Sequence, residues 1–116
     1  MPKRRDYESL ADIQEAIVNV AEYIKGLSFE QFLKDRKTRD AVIRNLEVIG
    51  EAAKNLSASL RKMYPEMPWK ELAGMRDKMI HDYFGINYEI VWSISNEKLL
   101  DLFPQITEIL KHYSPK

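Results

Sequence analysis

The chain has 116 residues, with 18 basic and 18 acidic side chains and no cysteine. This length suits one domain with a sizeable core, and the lack of cysteine excludes disulfide scaffolds, thiolate zinc sites and cysteine nucleophiles. No apolar run approaches the about 20 residues of a membrane span or the roughly 7–15 of a signal peptide, so we expect a cytoplasmic protein without membrane partners. Zero net charge argues against nucleic-acid binding by bulk charge alone, but it permits a local basic cleft.

The first third of the chain has the spacing of a long and a short helix. Apolar residues recur at helical intervals over about 6–25, and Gly26 provides a C-terminal stop. We expect the basic residues 1–5 to form a mobile tail. The segment 28–34 begins with Ser-Phe-Glu-Gln, the sequence of a capping box, which predicts a short helix.

The middle of the chain carries the longest helical pattern. We expect a break in the charged stretch 35–40, and a continuous helix over about 38–63. Gly50 lies inside this helix, where it costs about 1 kcal/mol relative to alanine, and it indicates close approach by another backbone. Two prolines mark a loop over 64–68.

The last third predicts two more helices. One begins at Trp69 and ends near residues 84–85, and Asn87 is the expected N-cap of the other. Pro104 predicts a kink or a break in this last helix, and residues 111–116 a frayed C-terminus. The chain is therefore expected to form a single all-α domain, an antiparallel up-and-down bundle of four main helices plus a short one.

Reactive side chains concentrate in Arg76, Asp77, His81 and Tyr83. On a regular helix, Asp77 and His81 share one face, where the carboxylate would orient the imidazole, and Arg76 and Tyr83 share another. Arg76 and His81 would lie about 140° apart, so one substrate atom would meet both only at the helix edge or between two copies. The structural alternative is a surface salt bridge at Arg76 and a helix-end histidine. We assign no role to His112.

Several segments resemble the HepT-like proteins of the HEPN (higher eukaryote and prokaryote nucleotide-binding) superfamily. They are Arg44–Leu56 with its Ile-Gly-Glu-Ala-Ala sequence, Pro68-Trp69, Met75–Phe84 with the signature Arg-x4-His-x-Tyr, and Val91-Trp92. The resemblance extends from the first helix to the helix with Pro104. It implies a dimeric helical bundle and a metal-independent ribonuclease that acts as a toxin, paired with a minimal nucleotidyltransferase antitoxin.

The resemblance also assigns roles to individual residues. Arg76 and His81 fall on the catalytic arginine and histidine of the family, and Asp77 is the polar residue that follows the arginine. Tyr83 falls on the tyrosine that accepts AMP from the antitoxin in similar systems. The substrate would be RNA, either tRNA or mRNA, and neither a cofactor nor a metal is implied.

The chemistry of these residue types fits metal-independent RNA cleavage. The 2′-hydroxyl must lose a proton and the leaving oxygen must gain one, and an imidazole performs either transfer near neutral pH. A guanidinium such as that of Arg76 holds the phosphoryl oxygens. Because acid and base are two tasks and each chain has one usable histidine, we expect a homodimer with both copies of His81 at its interface.

Other residues have simpler interpretations. Glu51 follows Gly50 on the long helix, where a buried acid would need a cationic partner, and Arg76 is the candidate. A basic run, with Lys78, would guide an RNA backbone, or it is a solvated turn; its members are Lys34, Arg36, Lys37 and Arg39. The tryptophans and four methionines are expected in the core or the dimer interface; they are Trp69, Trp92, Met63, Met67, Met75 and Met79.

Two other classes of function are alternatives to a ribonuclease. A non-catalytic module would bind a nucleotide or serve as the helical partner of a nucleotidyltransferase, but it has no evident need for the full Arg-x4-His-x-Tyr signature. A carboxylate-bridged metal bundle lacks its Glu-x-x-His motifs. For the ribonuclease, we expect a locally positive dimer groove holding Arg76, with Lys78 nearby and most acidic residues elsewhere.

Overall fold

The computed structural model of the protein describes residues 2–80 and 85–113, with side chains from Arg5 onward. These residues form α1 (Pro2–Ile24), α2 (Phe29–Lys34), α3 (Arg36–Lys54), α4 (Ala58–Met63), α5 (Trp69–Ala73), α6 (Met75–Met79), α7 (Tyr88–Ser93), a π-helical turn (Ile94–Lys98) and α8 (Leu99–His112). The described residues contain no strand beyond a single antiparallel bridge between Ile80 and Ile86, so the all-α prediction is confirmed for this part of the chain.

The three long helices form the core. α1 packs against both α3 and α8, because each presents a stripe of apolar side chains at helical spacing. The fully buried members include Leu10, Ile13, Val20, Leu46, Ile49 and Ile106. In the described ranges, no helix combines the length and the apolar character that crossing a membrane requires.

The ends of the chain are more helical than predicted. α1 begins at Pro2, so residues 2–5 belong to the helix and not to a tail. Proline suits the first position of a helix, and lysine and arginine are good helix formers. At the other end α8 continues to His112, so the first two residues of the predicted frayed segment are helical, while residues 114–116 lie outside the described residues.

The predicted short helix α2 and its capping box are both confirmed. The Gln31 amide donates to Ser28 Oγ at 3.1 Å, and the Ser28 amide donates to Gln31 Oε1 at 2.9 Å, which completes the capping box. Phe32 is fully buried, and its ring centroid lies 5.2 Å from that of Trp92 on α7. This aromatic pair fastens α2 to the rest of the fold.

The charged stretch 35–40 is a helix start and not a break. Asp35 is the N-cap of α3, and its side chain accepts from the Thr38 amide at 3.1 Å and from the Thr38 hydroxyl at 2.8 Å. Because the Asp35 side chain satisfies the Thr38 amide, one of the free donors of the first turn, helix α3 begins directly at Arg36.

The predicted continuous helix over 38–63 is wrong, because α3 ends at Lys54 and α4 begins at Ala58. Asp6 of α1 is buried, and it accepts from the Ser57 amide at 2.8 Å and the Ser57 hydroxyl at 2.5 Å. The guanidinium of Arg61 donates to main-chain carbonyls across the break. These side-chain bonds replace the backbone bonds that a continuous helix would make.

The break also changes the direction of Met63. α4 does not keep the helical phase of α3, and Met63 is 63% exposed. It therefore lies outside the core of the chain, and its alternative place in the dimer interface stays a prediction. The other three methionines, Met67, Met75 and Met79, are buried as predicted. Trp69 is buried too, and its Nε1 donates to the Tyr64 carbonyl at 2.9 Å across the predicted loop.

The predicted helix from Trp69 to about residue 84 is also shorter and interrupted. It divides at Gly74 into α5 and α6, and α6 ends at Met79. Ile80 is extended, with φ −87° and ψ 128°, and the Asn87 amide donates to the Met79 carbonyl at 2.8 Å. Pairing with the segment around Ile86 therefore replaces the continuation of the helix.

Gly50 lies where α3 meets the junction of α5 and α6. A side-chain carbon placed on Gly50 would lie 3.4 Å from the Leu72 carbonyl oxygen and 3.4 Å from Met75 Cβ. The predicted close approach of another backbone is thus confirmed. This contact sets α6 against the middle of α3.

The last helical stretch begins as predicted and continues differently. The Asn87 side chain caps α7 by accepting from the Ile90 amide at 3.1 Å. The π-helical turn then widens the chain, and the Leu99 amide donates to the Ile94 carbonyl five residues before it. Pro104 does not break α8, which continues through it, because the apolar face of α8 is held against α1.

Candidate active site

The short helix α6 presents the candidate arginine. Met75 and Met79, four residues apart, are 4% and 1% exposed and anchor the helix in the core. The three residues between them, Arg76, Asp77 and Lys78, are exposed. With buried anchors at both ends, α6 holds three polar side chains at the surface on a fixed backbone.

Arg76 lines a cleft of about 600 Å³ between α1, α3 and the α5–α6 junction. That volume lies within the range of small-molecule sites, about 300–1,000 Å³. Glu51 lines the same cleft. The other charged residues in its walls are Asp12, Arg44, Glu47 and Lys54.

The cleft in one chain is electrically balanced, and the locally positive groove predicted for the dimer stays a prediction. Three cations face three carboxylates in its walls. The reason lies in α3, where Arg44, Glu47 and Glu51 are spaced three and four residues apart and therefore share one face. The acids thus accompany Arg44 into the cleft.

Glu51 is exposed, so it does not require the cationic partner that a buried acid at this position would need. Among the described residues, no ion pair within 4.0 Å joins it to Arg76. Both side chains therefore reach the cleft while remaining available to a ligand.

Lys78 does not lie near Arg76 in this cleft. Two residues separate them on α6, which places them about 200° apart around the helix. Lys78 lines a different cavity, with Lys98 and residues of α5 and α8. Within one chain Lys78 therefore adds no positive charge to the Arg76 cleft, and its predicted place in the dimer groove stays a prediction.

His81 and Tyr83 lie outside the described residues. Their predicted placement relative to Asp77 and Arg76 assumed a helix that continues to about residue 84. Because α6 ends at Met79 and Ile80 is extended, that helical argument does not apply. Asp77 is exposed on α6, and its pairing with the imidazole stays a prediction.

Comparison with known proteins places the chain in a family. The family model described as "Ribonuclease HepT-like" matches residues 13–109, a span that contains Glu51, Arg76, His81 and Tyr83. The chain belongs to the HepT-like ribonuclease family. Membership supports ribonuclease activity for this protein.

Three relatives of this HepT-like chain match it over most of their length. A candidate RNase of Methanocaldococcus jannaschii is 49% identical over 111 residues, which cover 96% of this chain and 92% of the relative. A candidate RNase of Caldanaerobacter subterraneus subsp. tengcongensis is 50% identical, covering 78% and 80%. The probable ribonuclease HepT of Thermococcus cleftensis is 43% identical, covering 94% and 99%. No solved structure matches the chain.

The predicted basic run of the HepT-like chain lies apart from the cleft walls. Lys34 ends α2, and Arg36 and Lys37 begin α3, all three exposed. Arg36 faces Asp40 at 3.9 Å, and the Arg39 guanidinium lies 4.9 Å from the ring centroid of Tyr88. Arg39 therefore has a structural contact, and RNA binding by this run stays a prediction.

Four charged residues of the cleft were not singled out from the sequence: Asp12, Arg44, Glu47 and Lys54. The signal for Arg44 was present, because it shares a helical face with Glu47 and Glu51 on α3. Asp12 belongs to α1 and reaches the cleft only because α1 packs on α3. Lys54 is the last residue of α3, whose end the sequence placed later.

Proposed function

We propose that this HepT-like chain is a metal-independent endoribonuclease toxin that cleaves tRNA or mRNA with Arg76 and His81. The observation that carries the proposal is the position of Arg76. Its permanently charged guanidinium sits between two buried anchors and opens onto a cleft of about 600 Å³. Family membership supplies the reaction class.

The proposed reaction uses the 2′-hydroxyl of RNA as the nucleophile. Its proton passes to a base while its oxygen attacks phosphorus, the bond to the 5′-oxygen breaks, and that oxygen takes a proton from an acid. An imidazole such as that of His81 suits both proton transfers. Arg76 would hold the phosphoryl oxygens as negative charge develops on them.

We place the reaction at a homodimer interface. One chain supplies a single histidine within the family signature, whereas the reaction requires an acid and a base. Two chains related by a twofold axis would supply two copies of His81 and two of Arg76. The second arginine would add positive charge to a cleft that is balanced within one chain.

Regulation is proposed to act at Tyr83, through AMP transferred from a nucleotidyltransferase antitoxin. The added group is bulky and anionic. Near Arg76 it would occupy the phosphate position and attract the guanidinium that RNA requires.

Replacing Arg76 tests the catalytic assignment. Arg76→Ala should lower the rate of RNA cleavage by about 10²–10³-fold, as expected for loss of one group that stabilises the transition state. The measurement is cleavage of total cellular RNA by purified protein, alongside growth arrest on expression. Lys62→Ala, an exposed position on α4, is the matched control and should match the wild type.

The His81→Ala variant should behave like Arg76→Ala. If all these proteins affect growth and RNA equally, the catalytic proposal is wrong. The non-catalytic alternative, a nucleotide-binding or helical partner subunit of a nucleotidyltransferase, then explains the family better.

The modification has a separate test. Coexpression with a nucleotidyltransferase encoded beside the gene should add the mass of AMP to the wild type and abolish its cleavage activity. Tyr83→Phe should remain unmodified and toxic. A Tyr83→Phe protein that still gains AMP would place the acceptor elsewhere.

A further inference from the structure

A second cavity lies on the face of α6 that carries Lys78. Its volume is about 190 Å³, and five buried apolar side chains form much of its wall: Leu72, Met75, Ile94, Leu99 and Leu102. An apolar cavity of about 150 Å³ is enough to hold benzene. The space therefore suits one six-membered ring.

Two lysines stand together beside this cavity. Lys78 comes from α6 and Lys98 ends the π-helical turn, whose wider winding determines where Lys98 lies. The adjacent Lys98 amine, together with burial, lowers the pKa of Lys78, and Glu71 offsets this only in part. Among the described residues, no carboxylate lies within 4.0 Å of either ammonium.

Two neighbouring ammonium groups favour an anion with several oxygens. A phosphate group can accept from both lysines at once, and it removes their mutual repulsion. A single carboxylate offers less charge for the same position. The lysine pair therefore points to a phosphate next to an apolar ring site.

The acidic residues at the edge of the cavity indicate which nucleobase would bind there. Glu71 and Asp101 also line the cavity, and carboxylates accept hydrogen bonds from the exocyclic amine of cytosine. Uracil presents a carbonyl oxygen at the same position, which a carboxylate repels. A single ring with an amino group is thus favoured over both uracil and the larger purines.

We propose that this cavity binds a cytidine nucleotide, with its phosphate between Lys78 and Lys98 and its base on the apolar wall. The nucleotide is either free or part of an RNA chain. This site goes beyond the proposed function, because it lies on the opposite face of α6 from Arg76 and needs no cleavage to be occupied.

Calorimetric titration of the full-length protein with cytidine monophosphate tests the proposal. Cytidine monophosphate should bind more tightly than uridine monophosphate, cytidine or inorganic phosphate. Lys98→Gln should weaken binding roughly tenfold, whereas Lys98→Arg keeps the charge and should retain most of it. Lys62→Gln, away from the cavity, is the control and should bind like the wild type.

The source of the nucleotide is assigned by competition. A 2′-O-methylated, cleavage-resistant trinucleotide with a central cytidine should displace cytidine monophosphate if the site takes RNA, and fail to do so if it takes the free nucleotide. Arg76→Ala should bind cytidine monophosphate normally, so failure of the ribonuclease proposal is measured separately.

Three results would overturn the cavity assignment. They are equal affinity for cytidine and uridine monophosphates, equal affinity for inorganic phosphate, and unchanged binding in a Lys98→Gln protein that melts like the wild type. If Lys98→Gln does not fold, the comparison between the nucleotides and phosphate on the wild-type protein decides the question.

Discussion

Asp35 is the single residue that separates α2 from α3. It accepts two hydrogen bonds from Thr38, and these bonds lower the pKa of its carboxyl below the ordinary value of 3.8. The ionised form is therefore the one that caps α3. An exposed charged side chain thus stabilises the start of a helix through the residue three positions later in the chain.

The cap predicts how stability depends on pH. Because the folded-state pKa of Asp35 is lowered, its contribution is present above pH 3.8 and is lost as the pH falls through the lower folded-state value. Asp35→Ala should therefore be less stable than the wild type at neutral pH, with the difference shrinking toward pH about 2. Urea unfolding at both pH values measures this.

A control comes from the same helix. Asp40 is exposed and pairs at 3.9 Å with Arg36, which is also exposed, so Asp40→Ala should change stability little at either pH. A difference between the wild type and Asp35→Ala that persists unchanged in acid would contradict the capping account.

Single residues were predictable where their partners are close in the chain. Ser28 and Asn87 cap helices through residues three positions away, so their patterns are visible in the sequence. Asp6 and Ser57 are 51 positions apart, and no local sequence pattern predicts their contact. The helix break that they stabilise was therefore missed.

At the scale of elements, the contact between α3 and the α5–α6 junction positions Arg76. Gly50 brings the two backbones together, and a methyl group there would lie 3.4 Å from its nearest neighbours, at the short end of ordinary van der Waals contact. A longer side chain would have to enter the space occupied by Leu72 and Met75. The width of this contact thus sets the geometry of the cleft.

Two substitutions at Gly50 should therefore differ in the size of their effect. Gly50→Ala should change the free energy of unfolding by less than about 1 kcal/mol, because better helix propensity offsets the tighter contact. Gly50→Leu should destabilise by about 1–3 kcal/mol through overpacking and lower RNA cleavage by moving α6. Thermal melts measure the stability, and Ala58→Leu at an exposed position is the control.

A Gly50→Leu protein as stable and as active as the wild type would show that α6 does not depend on this contact. The same junction shows why the site was only partly predictable. Arg76 was identified from its motif, but the helical arrangement around it was not, since Gly74 and the pairing of Ile80 with Ile86 divide the predicted helix.

At the scale of the whole molecule, the balance of 18 basic and 18 acidic residues extends into the cleft. One chain thus offers RNA an arginine without a strongly positive surface. The homodimer proposed for catalysis would bring a second Arg76 to the same place and would change the local balance without changing the net charge.

The proposed dimer has a direct test. Light scattering during gel filtration should give twice the mass of one chain, and cleavage per chain should fall when the protein is diluted below its dissociation constant. Buffer composition and RNA concentration are held constant through the dilution. A monomer that cleaves RNA at the full rate would disprove the need for two histidines.

The short helix α6 separates the Arg76 cleft from the cavity of the lysine pair, with Arg76 on one side and Met75 and Lys78 on the other. A ligand that shifts this helix from one side changes the affinity for a ligand on the other side. Thermodynamic linkage requires the effect to be reciprocal, with the same coupling free energy in both directions. Because α6 is so short, allosteric coupling between its two faces can be measured as the change in affinity for a ligand on one face when the other face is occupied.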